Sequence, residues 1–364
     1  MFKYRVNYTC RSFVLFLIIQ NCYESTFGQT QTIVFAQMTM QTQPPPPPST
    51  AAGMSGMSCK CVPMGTCAAP TAAGIDIRIV NTGSTTCTSG LQYCCTSSGD
   101  APSQITDATC GVRKIPLTSQ APGIASYGAY PWQAALLMPD NNYIGSGVLL
   151  DSNNVLTAAH KVATLSNNGF KVRLGEWDAQ SLSEKYPYQE YNVAKVFIHP
   201  SFNAQNLQND IAVIRLSSAV PVSSSPGIST ICPPSGMPAA QTRCWVSGWG
   251  KNAFGPNGAY QSIMKEVDVP ILDQGNCESR LRGTRLGQFF NLSRDSFMCA
   301  GGEANKDACT GDGGSPLVCQ MQGQWQVVGL VAWGIGCAMP GVPGVYVNVP
   351  NYLTWIMRQI GTAA

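Results

Sequence analysis

The residues best suited to chemistry lie in three short segments that are far apart in the chain. His160 ends the sequence TAAH at residues 157–160, and Asp210 lies in NDIAV at residues 209–213. A histidine held by an aspartate can accept a proton, but acyl transfer also needs an oxygen or sulfur atom that attacks the carbonyl. The third segment, CTGDGGSP at residues 309–316, contains an aspartate and several glycines.

Together these segments resemble the catalytic segments of chymotrypsin-like serine proteases. The family pattern in the third is Cys-x-Gly-Asp-Ser-Gly-Gly-Pro, and this chain has Gly313 where the nucleophilic serine stands. The resemblance implies that His160 is a relic general base and that Asp210 orients it. Glycine has no atom that can attack, and in a related serine protease the loss of the serine alone lowers turnover by about 10⁶. The sequence therefore predicts a protease fold that does not cut.

Two alternatives concern Gly313. Ser315 could serve as a relocated nucleophile, but its side chain would start from a different point of the turn, and a misplacement of about 1 Å can already cost about a hundredfold in rate. A sequencing error is the other alternative, and two further departures from the family argue against it.

The first departure is at the expected start of the mature catalytic domain. The family has Ile-Val-Gly-Gly thirteen residues before the tryptophan that matches Trp132, whereas this chain has SQAP at residues 119–122 with no basic residue directly before it. The resemblance implies that a freed amino terminus would pair with Asp312. Without that ammonium group, the N–H groups of Gly311 and Gly313 need not converge on a reacting oxygen.

The second departure is a missing disulfide in the histidine loop. Active relatives usually have one half-cystine directly after the histidine and one on the preceding strand, whereas this chain has Lys161 and Ile144. Loss of a native disulfide from a small secreted domain costs about 2–5 kcal/mol. A loop that no longer holds a catalytic base would tolerate such a loss, although a structural loss compensated elsewhere is equally compatible with the sequence.

Composition favours a secreted β protein. The 364 residues include 16 cysteines, 36 glycines and 25 prolines, and only 11% are charged, which excludes a helical bundle. Basic residues before the apolar run 13–19 predict a signal peptide at residues 1–28, and this run is shorter than the ~20 residues that cross a bilayer. Cleavage would lower the formal charge from +3 to +1 and leave 14 cysteines. Nucleic acid and membranes are therefore not expected partners.

The region after the signal peptide divides by composition. Residues 29–58 are poor in charge and contain five consecutive prolines, which predicts a disordered, partly polyproline II tether. Residues 59–95 contain six cysteines, and so short a segment is predicted to be a disulfide scaffold with 15 possible pairings. Residues 96–109, rich in Ser, Thr and Asp, form a predicted linker.

The cysteine block resembles the clip domain of arthropod extracellular proteases, through its CKCVP opening and the adjacent Cys94 and Cys95. An unrelated knot-like spacer is the alternative. The resemblance implies three bridges: Cys59–Cys94, Cys61–Cys87 and Cys67–Cys95.

Residues 110–364 form the protease-like region, predicted to be an all-β, chymotrypsin-like double β-barrel. Apolar residues alternate with other residues in six runs that are typical of strands: 133–138, 143–150, 193–198, 211–216, 264–271 and 326–332. Apolar residues at helical spacing after Pro350 predict a short C-terminal helix. The resemblance covers this whole region and implies four bridges: Cys110–Cys232, Cys244–Cys319, Cys277–Cys299 and Cys309–Cys337.

The resemblance also implies a specificity pocket. Asp307, six residues before Gly313, matches the position that gives trypsin-like relatives their preference for Arg or Lys, and the walls include Trp333, Gly334 and Gly344. A carboxylate that faces a cavity would pair with a basic side chain, so the chain could capture such a residue without cleaving it. The alternative is that these residues persist because the fold packs around them.

Three smaller features complete the candidates. Four acidic residues, Glu176, Asp178, Glu184 and Glu190, cluster where some family members bind calcium, an ion that prefers oxygen ligands; a solvated acidic loop is the alternative. Asn291 begins a glycosylation sequon. His199, the only other histidine, is interpreted as a structural turn residue.

Regulation by proteolysis is predicted within the cysteine block. Arg78 and Ile79 lie in DIRIV, in the long gap between Cys67 and Cys87, and exposed loops are preferred sites of nicking. We predict cleavage after Arg78 by a trypsin-like clip protease, and the implied disulfides would keep both pieces attached. The sequence RKI at residues 113–115 is the alternative site.

The whole mature chain most resembles clip-domain serine protease homologues of arthropods, which act as non-catalytic cofactors in prophenoloxidase activation. The resemblance implies an extracellular protein of hemolymph or venom that requires no cofactor of its own, binds prophenoloxidase and its activating clip protease once cut, and directs melanisation. Self-association after cleavage is compatible with this reading. The alternatives are a decoy or venom-type inhibitor of the same cascade, a weak enzyme, and a microbial-surface recognition protein.

Overall fold

The computed structural model describes residues 33–37, 57–63, 91–97, 110–253, 258–304, 306–309 and 311–361, of which residues 57–63, 91–97 and 168 are described by their backbone alone. The chain divides into a body, Met1–Met38 with Cys110–Ala364, and a smaller unit, Thr39–Thr109. The predicted signal peptide and most of the predicted tether lie outside the described residues. None of the helices in the described part of the chain is long and apolar enough to cross a membrane.

The smaller unit contains one antiparallel strand pair. Strand β1 (Met57–Pro63) pairs with β2 (Leu91–Ser97), and Cys59 lies opposite Cys95. The paired strands extend two residues beyond each end of the predicted clip domain, because backbone hydrogen bonding continues into the predicted tether and linker. The three implied bridges and the predicted cleavage site at Arg78 lie outside the described side chains.

The first barrel of the body is closed and antiparallel, with the spatial order β3-β4-β5-β8-β7-β6. Its strands are β3 (Gln133–Leu137), β4 (Tyr143–Asp151), β5 (Asn154–Thr157), β6 (Lys171–Leu174), β7 (Gln189–Ile198) and β8 (Ala212–Leu216). Every residue of β3, β5 and β8 is buried, because one face lines the barrel interior and the other packs against the rest of the body.

The second barrel is also closed, with the spatial order β10-β11-β14-β13-β12-β9. Its strands are β9 (Arg243–Gly248), β10 (Lys265–Leu272), β11 (Phe297–Gly301), β12 (Pro316–Met321), β13 (Gln324–Trp333) and β14 (Pro343–Asn348). Helix α3 (Val349–Gly361) follows β14 directly and buries Val349, Tyr352 and Ile356 against the body. The predicted double barrel with a C-terminal helix is therefore confirmed.

Four disulfides join distant parts of the body. They are Cys110–Cys232, Cys244–Cys319, Cys277–Cys299 and Cys309–Cys337, the same pairs that the resemblance implies. Cys244 and Cys319 lie opposite each other on β9 and β12. Cys277 belongs to helix α2 (Gln274–Arg282), and Cys299 to β11. Cys309 and Cys337 tie together two loops that border the candidate site.

The prediction of a disordered tether is wrong for residues 33–37, which pack against the body. Ile33 and Phe35 are buried, whereas Val34 between them is 52% exposed. The average composition of residues 29–58 conceals this short apolar alternation, which suits a strand added at an open sheet edge.

Candidate active-site cleft

His160 and Asp210 meet as the resemblance implies. The Nδ1 atom of His160 lies 2.6 Å from Oδ2 of Asp210, and the backbone N–H of His160 donates to Oδ1 at 2.7 Å. His160 lies in helix α1 (Ala159–Val162), just after β5, and Asp210 lies two residues before β8, which pairs with β5. Two neighbouring strands therefore bring together residues fifty positions apart, and the acid–base part of the site is assembled.

Gly313 lies beside the other ring nitrogen of this histidine. A β-carbon built on Gly313 would stand 2.8 Å from Nε2 of His160, so a side chain at this position would face the histidine. We call residues 309–316 the nucleophile loop; Thr310 lies outside the described residues. The loop is fastened to the first barrel, since the N–H of Ser146 donates to the carbonyl of Gly313 at 3.2 Å.

The side chain of Lys161 fills the space that a side chain at Gly313 would need. The built β-carbon would overlap Cε of Lys161 and would stand 3.1 Å from its Nζ. A β-carbon on Gly145 would lie 2.9 Å from the same Cε atom. The lysine side chain thus runs past two glycines and ends beside His160. Lys161 occupies the position of the missing half-cystine, and reasoning from sequence did not identify this second role.

The ammonium group of Lys161 is attracted by two carboxylates, those of Asp312 and Asp210. Burial lowers the pKa of Lys161, and the two negative charges act in the opposite direction. Asp312 accepts hydrogen bonds at 2.9 Å from the N–H groups of Cys309 and Gly250. Burial raises the pKa of Asp312 to about 6, against the effect of those bonds and of Lys161. The carboxylate that the resemblance pairs with a freed amino terminus is therefore held by local groups.

The remaining loop residues occupy different environments. Gly311 lines the same cleft as Gly313 and His160 and has φ +99°, a region that favours glycine. Ser315 is fully buried, and a β-carbon on Gly248 of β9 would lie 2.9 Å from its Oγ. Ser315 therefore faces the second barrel, and apart from Asp312 no other residue in the described part of the loop has a side-chain oxygen.

The cleft is one cavity of about 180 Å³, which Asp307 lines together with His160 and Gly313. The Oδ2 atom of Asp307 accepts from the N–H of Ala338 at 3.1 Å, while Oδ1 and the hydroxyl of Tyr346 are buried without a partner among the described residues. Burial raises the pKa of Asp307 to about 6. A β-carbon on Gly344 would lie 3.0 Å from Oδ1, so glycine leaves room beside this oxygen. The other wall residues include Trp333, Gly334 and Gly336.

The four calcium candidates are not brought together as a metal site. Glu176 and Glu190 both pair with the fully buried Arg173, at 2.9 and 2.8 Å. Glu184 instead accepts from the backbone N–H of Asp178 at 3.1 Å. In the part of the chain that the structure describes, no three His, Cys, Asp or Glu side chains form a group that could hold a metal ion. The described residues therefore form no calcium site from these four candidates, and the alternative of a solvated acidic loop does not hold for Glu176, which is 5% exposed.

Three other candidates lie outside the cleft. His199 packs against the rings of Tyr352 and Trp355 in α3, with centroid distances of 5.3 and 5.1 Å, and burial lowers its pKa. Asn291 is exposed, and its Oδ1 accepts from Arg282 at 2.9 Å. At the alternative cleavage site, residues 113–115, the guanidinium of Arg113 lies 4.4 Å from the ring centroid of Trp325.

Comparison with known proteins places this geometry in context. Residues 124–356 match the sequence profile of the family Trypsin. The chain is 48% identical over 335 residues to Inactive CLIP domain-containing serine protease A3 of Aedes aegypti, a match that covers 85% of this chain and 68% of the relative. It is 47% identical over 255 residues to Phenoloxidase-activating factor 2 of Galleria mellonella, covering 65% and 82%. Inactive CLIP domain-containing serine protease A28 of Anopheles gambiae is 37% identical, covering 65% and 63%.

Proposed function

The chain belongs to the trypsin family as a clip-domain serine protease homologue, and we propose that it is a secreted, non-catalytic cofactor in prophenoloxidase activation. The observation that carries the non-catalytic role is Gly313, which places no attacking atom beside the assembled His160–Asp210 pair, while the end of the Lys161 side chain lies in the space left free. Relatives named as inactive proteases, and one named as a phenoloxidase-activating factor, support the same role.

The chemistry of the cleft supports the absence of turnover. Gly313 offers no attacking atom. An amine such as that of Lys161 could attack a carbonyl only in its neutral form, and the product would be an amide, which lacks the reactivity of the ester that a serine forms. The histidine and aspartate alone can move a proton but cannot form the acyl intermediate. We therefore infer that this cleft either binds a partner without cleaving it or has no function of its own.

Activation by cleavage after Arg78 is part of the proposal, and the body gives one reason to favour it over the alternative. Arg113 donates from Nε to the carbonyl of Ala129 at 2.7 Å, and Lys114 donates from Nζ to the carbonyl of Ile228 at 2.8 Å. A trypsin-like protease must take a basic side chain into its own pocket. At residues 113–115 it would first have to break these contacts.

The proposed domain plan is a signal peptide at residues 1–28, a tether that includes the docked residues 33–37, a clip domain with strands at Met57–Pro63 and Leu91–Ser97, a linker, and the inactive protease body. Extracellular localisation, in hemolymph or venom, is part of the proposal, and the four disulfides of the body support an oxidising compartment.

The decisive experiment is phenoloxidase activity in a mixture of prophenoloxidase and its activating protease. We expect activity to rise when protein nicked after Arg78 is added and to stay unchanged with the uncuttable variant R78Q. A fall below the level without the protein would identify a decoy of the same cascade. No change with nicked protein, together with sedimentation on bacterial cell walls, would favour the recognition function.

A second proposed property is capture of a basic side chain in the Asp307 cavity. The buried Oδ1 of Asp307, which has no partner among the described residues, favours it, because a buried acceptor is costly unless it is satisfied. The cavity would hold an Arg or Lys of a partner protein, and the neighbouring cleft could not cleave it.

A further inference from the structure

Residues 33–37, IVFAQ, lie in a groove of the body beside the nucleophile loop; we call them the N-terminal strap. They precede the smaller unit in sequence but belong to the body, which the chain enters again at Cys110. They contact the body as an extended peptide contacts a receptor.

The backbone of the strap pairs with the body on both sides. The N–H of Phe35 donates to the carbonyl of Asn141 at 3.0 Å, and the N–H of Tyr143 donates to the carbonyl of Ile33 at 3.0 Å. The N–H of Ala36 donates to the carbonyl of Ala179 at 2.7 Å. Strand addition of this kind gives affinity through main-chain hydrogen bonds, and pockets for alternate side chains give specificity.

The side chains of the strap alternate between buried and exposed positions. Phe35 is fully enclosed: its ring stacks on Tyr143 at 5.6 Å, meets Trp249 edge-on at 5.5 Å and lies 5.4 Å from the guanidinium of Arg173. Aromatic pairs at such distances and a cation over a ring are favourable contacts. Ile33 is buried two positions earlier, whereas Val34 points outward. The pocket thus selects an aromatic residue at one position and an apolar residue at the other.

The groove shares a wall with the cleft. Strand β4 supplies Tyr143 to the groove and Ser146 to the nucleophile loop, where the N–H of Ser146 holds the carbonyl of Gly313. The ring of Tyr143 contacts the ring of Tyr260 at 6.1 Å, and a β-carbon on Gly311 would meet that second ring. A segment bound in the groove therefore contacts Tyr143, on the same strand as the residue that binds the nucleophile loop.

We propose that this groove is a binding site for an extended peptide with the pattern apolar–exposed–aromatic, and that the chain fills it with its own residues 33–37. The ligand class is an extended segment that adds as a strand along Asn141–Tyr143 and places an aromatic ring among Tyr143, Trp249 and Arg173. Because the strap belongs to the same chain, it competes with an external peptide as an intramolecular ligand. An external peptide therefore binds well only when the strap lacks its anchor. This proposal does not depend on the proposed function.

The test uses the full chain and a fluorescent synthetic peptide, QTIVFAQM, with the sequence of residues 31–38. We expect the variant F35S to bind this peptide saturably by fluorescence anisotropy, with an affinity at least tenfold higher than that of the wild type. The variant V34S is the matched control, because Val34 is exposed, and it should behave like the wild type. A peptide with serine in place of its phenylalanine should not bind.

A folded F35S protein that ignores the peptide, or a V34S protein that binds as well as F35S, would overturn the proposal. Hydrogen–deuterium exchange on the wild type gives an independent answer if F35S does not fold. The amides of Phe35 and Tyr143 should be protected, and exchange of Phe35 at the rate of an unstructured chain would refute docking of the strap.

Discussion

The Nζ atom of Lys161 lies 3.1 Å from the point where a β-carbon on Gly313 would stand. The two residues are complementary, since the lysine takes the room that the glycine leaves. A histidine–aspartate pair survives beside them with a 2.6 Å contact. The resemblance implies that Gly313 stands in place of the nucleophile and Lys161 in place of a half-cystine, and these two departures from the family pattern lie side by side.

Restoring the serine alone should not restore proteolysis. In G313S the new side chain competes with Lys161 for the same space, so we expect hydrolysis of an arginyl amide to remain near background. The double variant G313S/K161A should be at least tenfold faster than G313S, since ~1 Å of displacement already costs about a hundredfold. G313S/K185A, which changes an exposed lysine, is the control. Equal rates for G313S and G313S/K161A would contradict the role given to Lys161.

Binding of benzamidine should depend on pH through Asp307. Burial raises the pKa of this carboxyl to about 6, so it is mostly protonated at pH 5 and mostly ionised at pH 7.5, and only the ionised form pairs strongly with a cation. We expect about tenfold tighter binding at pH 7.5 than at pH 5, measured by calorimetry, as an ionised fraction rising through one pKa implies. D307N should lose binding at both pH values, and D295N should retain it. Failure of the wild type to bind at millimolar benzamidine would end the pocket hypothesis.

Removing the guanidinium of Arg173 should destabilise the body strongly. Arg173 and Glu176 are both buried, and breaking a buried pair by removing one partner costs about 3–5 kcal/mol. R173M should therefore lower the free energy of unfolding, measured in urea, by about that amount. R243M is the matched control, because Arg243 is 43% exposed and the side chain of its partner Glu303 is 37% exposed; solvent screens such a pair, so its loss should change the free energy of unfolding little. Similar losses in the two variants would mean that Arg173 is not a buried counterion.

The same arginine predicts the response to calcium. Two of the four candidate carboxylates already face a permanent positive charge, so we expect no change in Tm of the wild type with millimolar Ca²⁺. A rise in Tm that is abolished by E190Q would instead show that the acidic loop binds the ion.

Limited digestion by a trypsin-like clip protease should cut first after Arg78. Amino-terminal sequencing should then find Ile79, and R78Q should remain uncut under the same conditions. The contacts of Arg113 with Trp325 and Ala129 should protect residues 113–115. A new terminus at Lys114 or Ile115 in the folded protein would show that these contacts do not shield the alternative site.

The fold class, and the glycine in place of the family's nucleophilic serine, could be predicted from the sequence and its resemblance to a known family. Each of the six runs of alternating residues lies largely within a strand, and the helical spacing after Pro350 gives α3, because periodicity is local and can be read from neighbouring residues. Gly313 is also identified locally, because the short motif at residues 309–316 can be compared directly with the family pattern. Strands as short as β6 (Lys171–Leu174) escaped detection, since four residues carry too little periodicity.

The surroundings of these residues become visible only in the folded chain. In the sequence, Lys161 is identified only as the residue in place of a half-cystine. In the structure, β4 and the nucleophile loop place Gly145 and Gly313 against its side chain. Glu176 and Glu190 were candidate calcium ligands, but Arg173, which lies three residues before Glu176 and opposite Glu190 on the neighbouring strand, pairs with both. From its composition, the strap was predicted to be part of a polar tether. In the structure, Tyr143 and Trp249, more than a hundred residues away, enclose Phe35. Each outcome depends on contacts made when the barrels close, and the residue spacing along the chain does not encode such contacts.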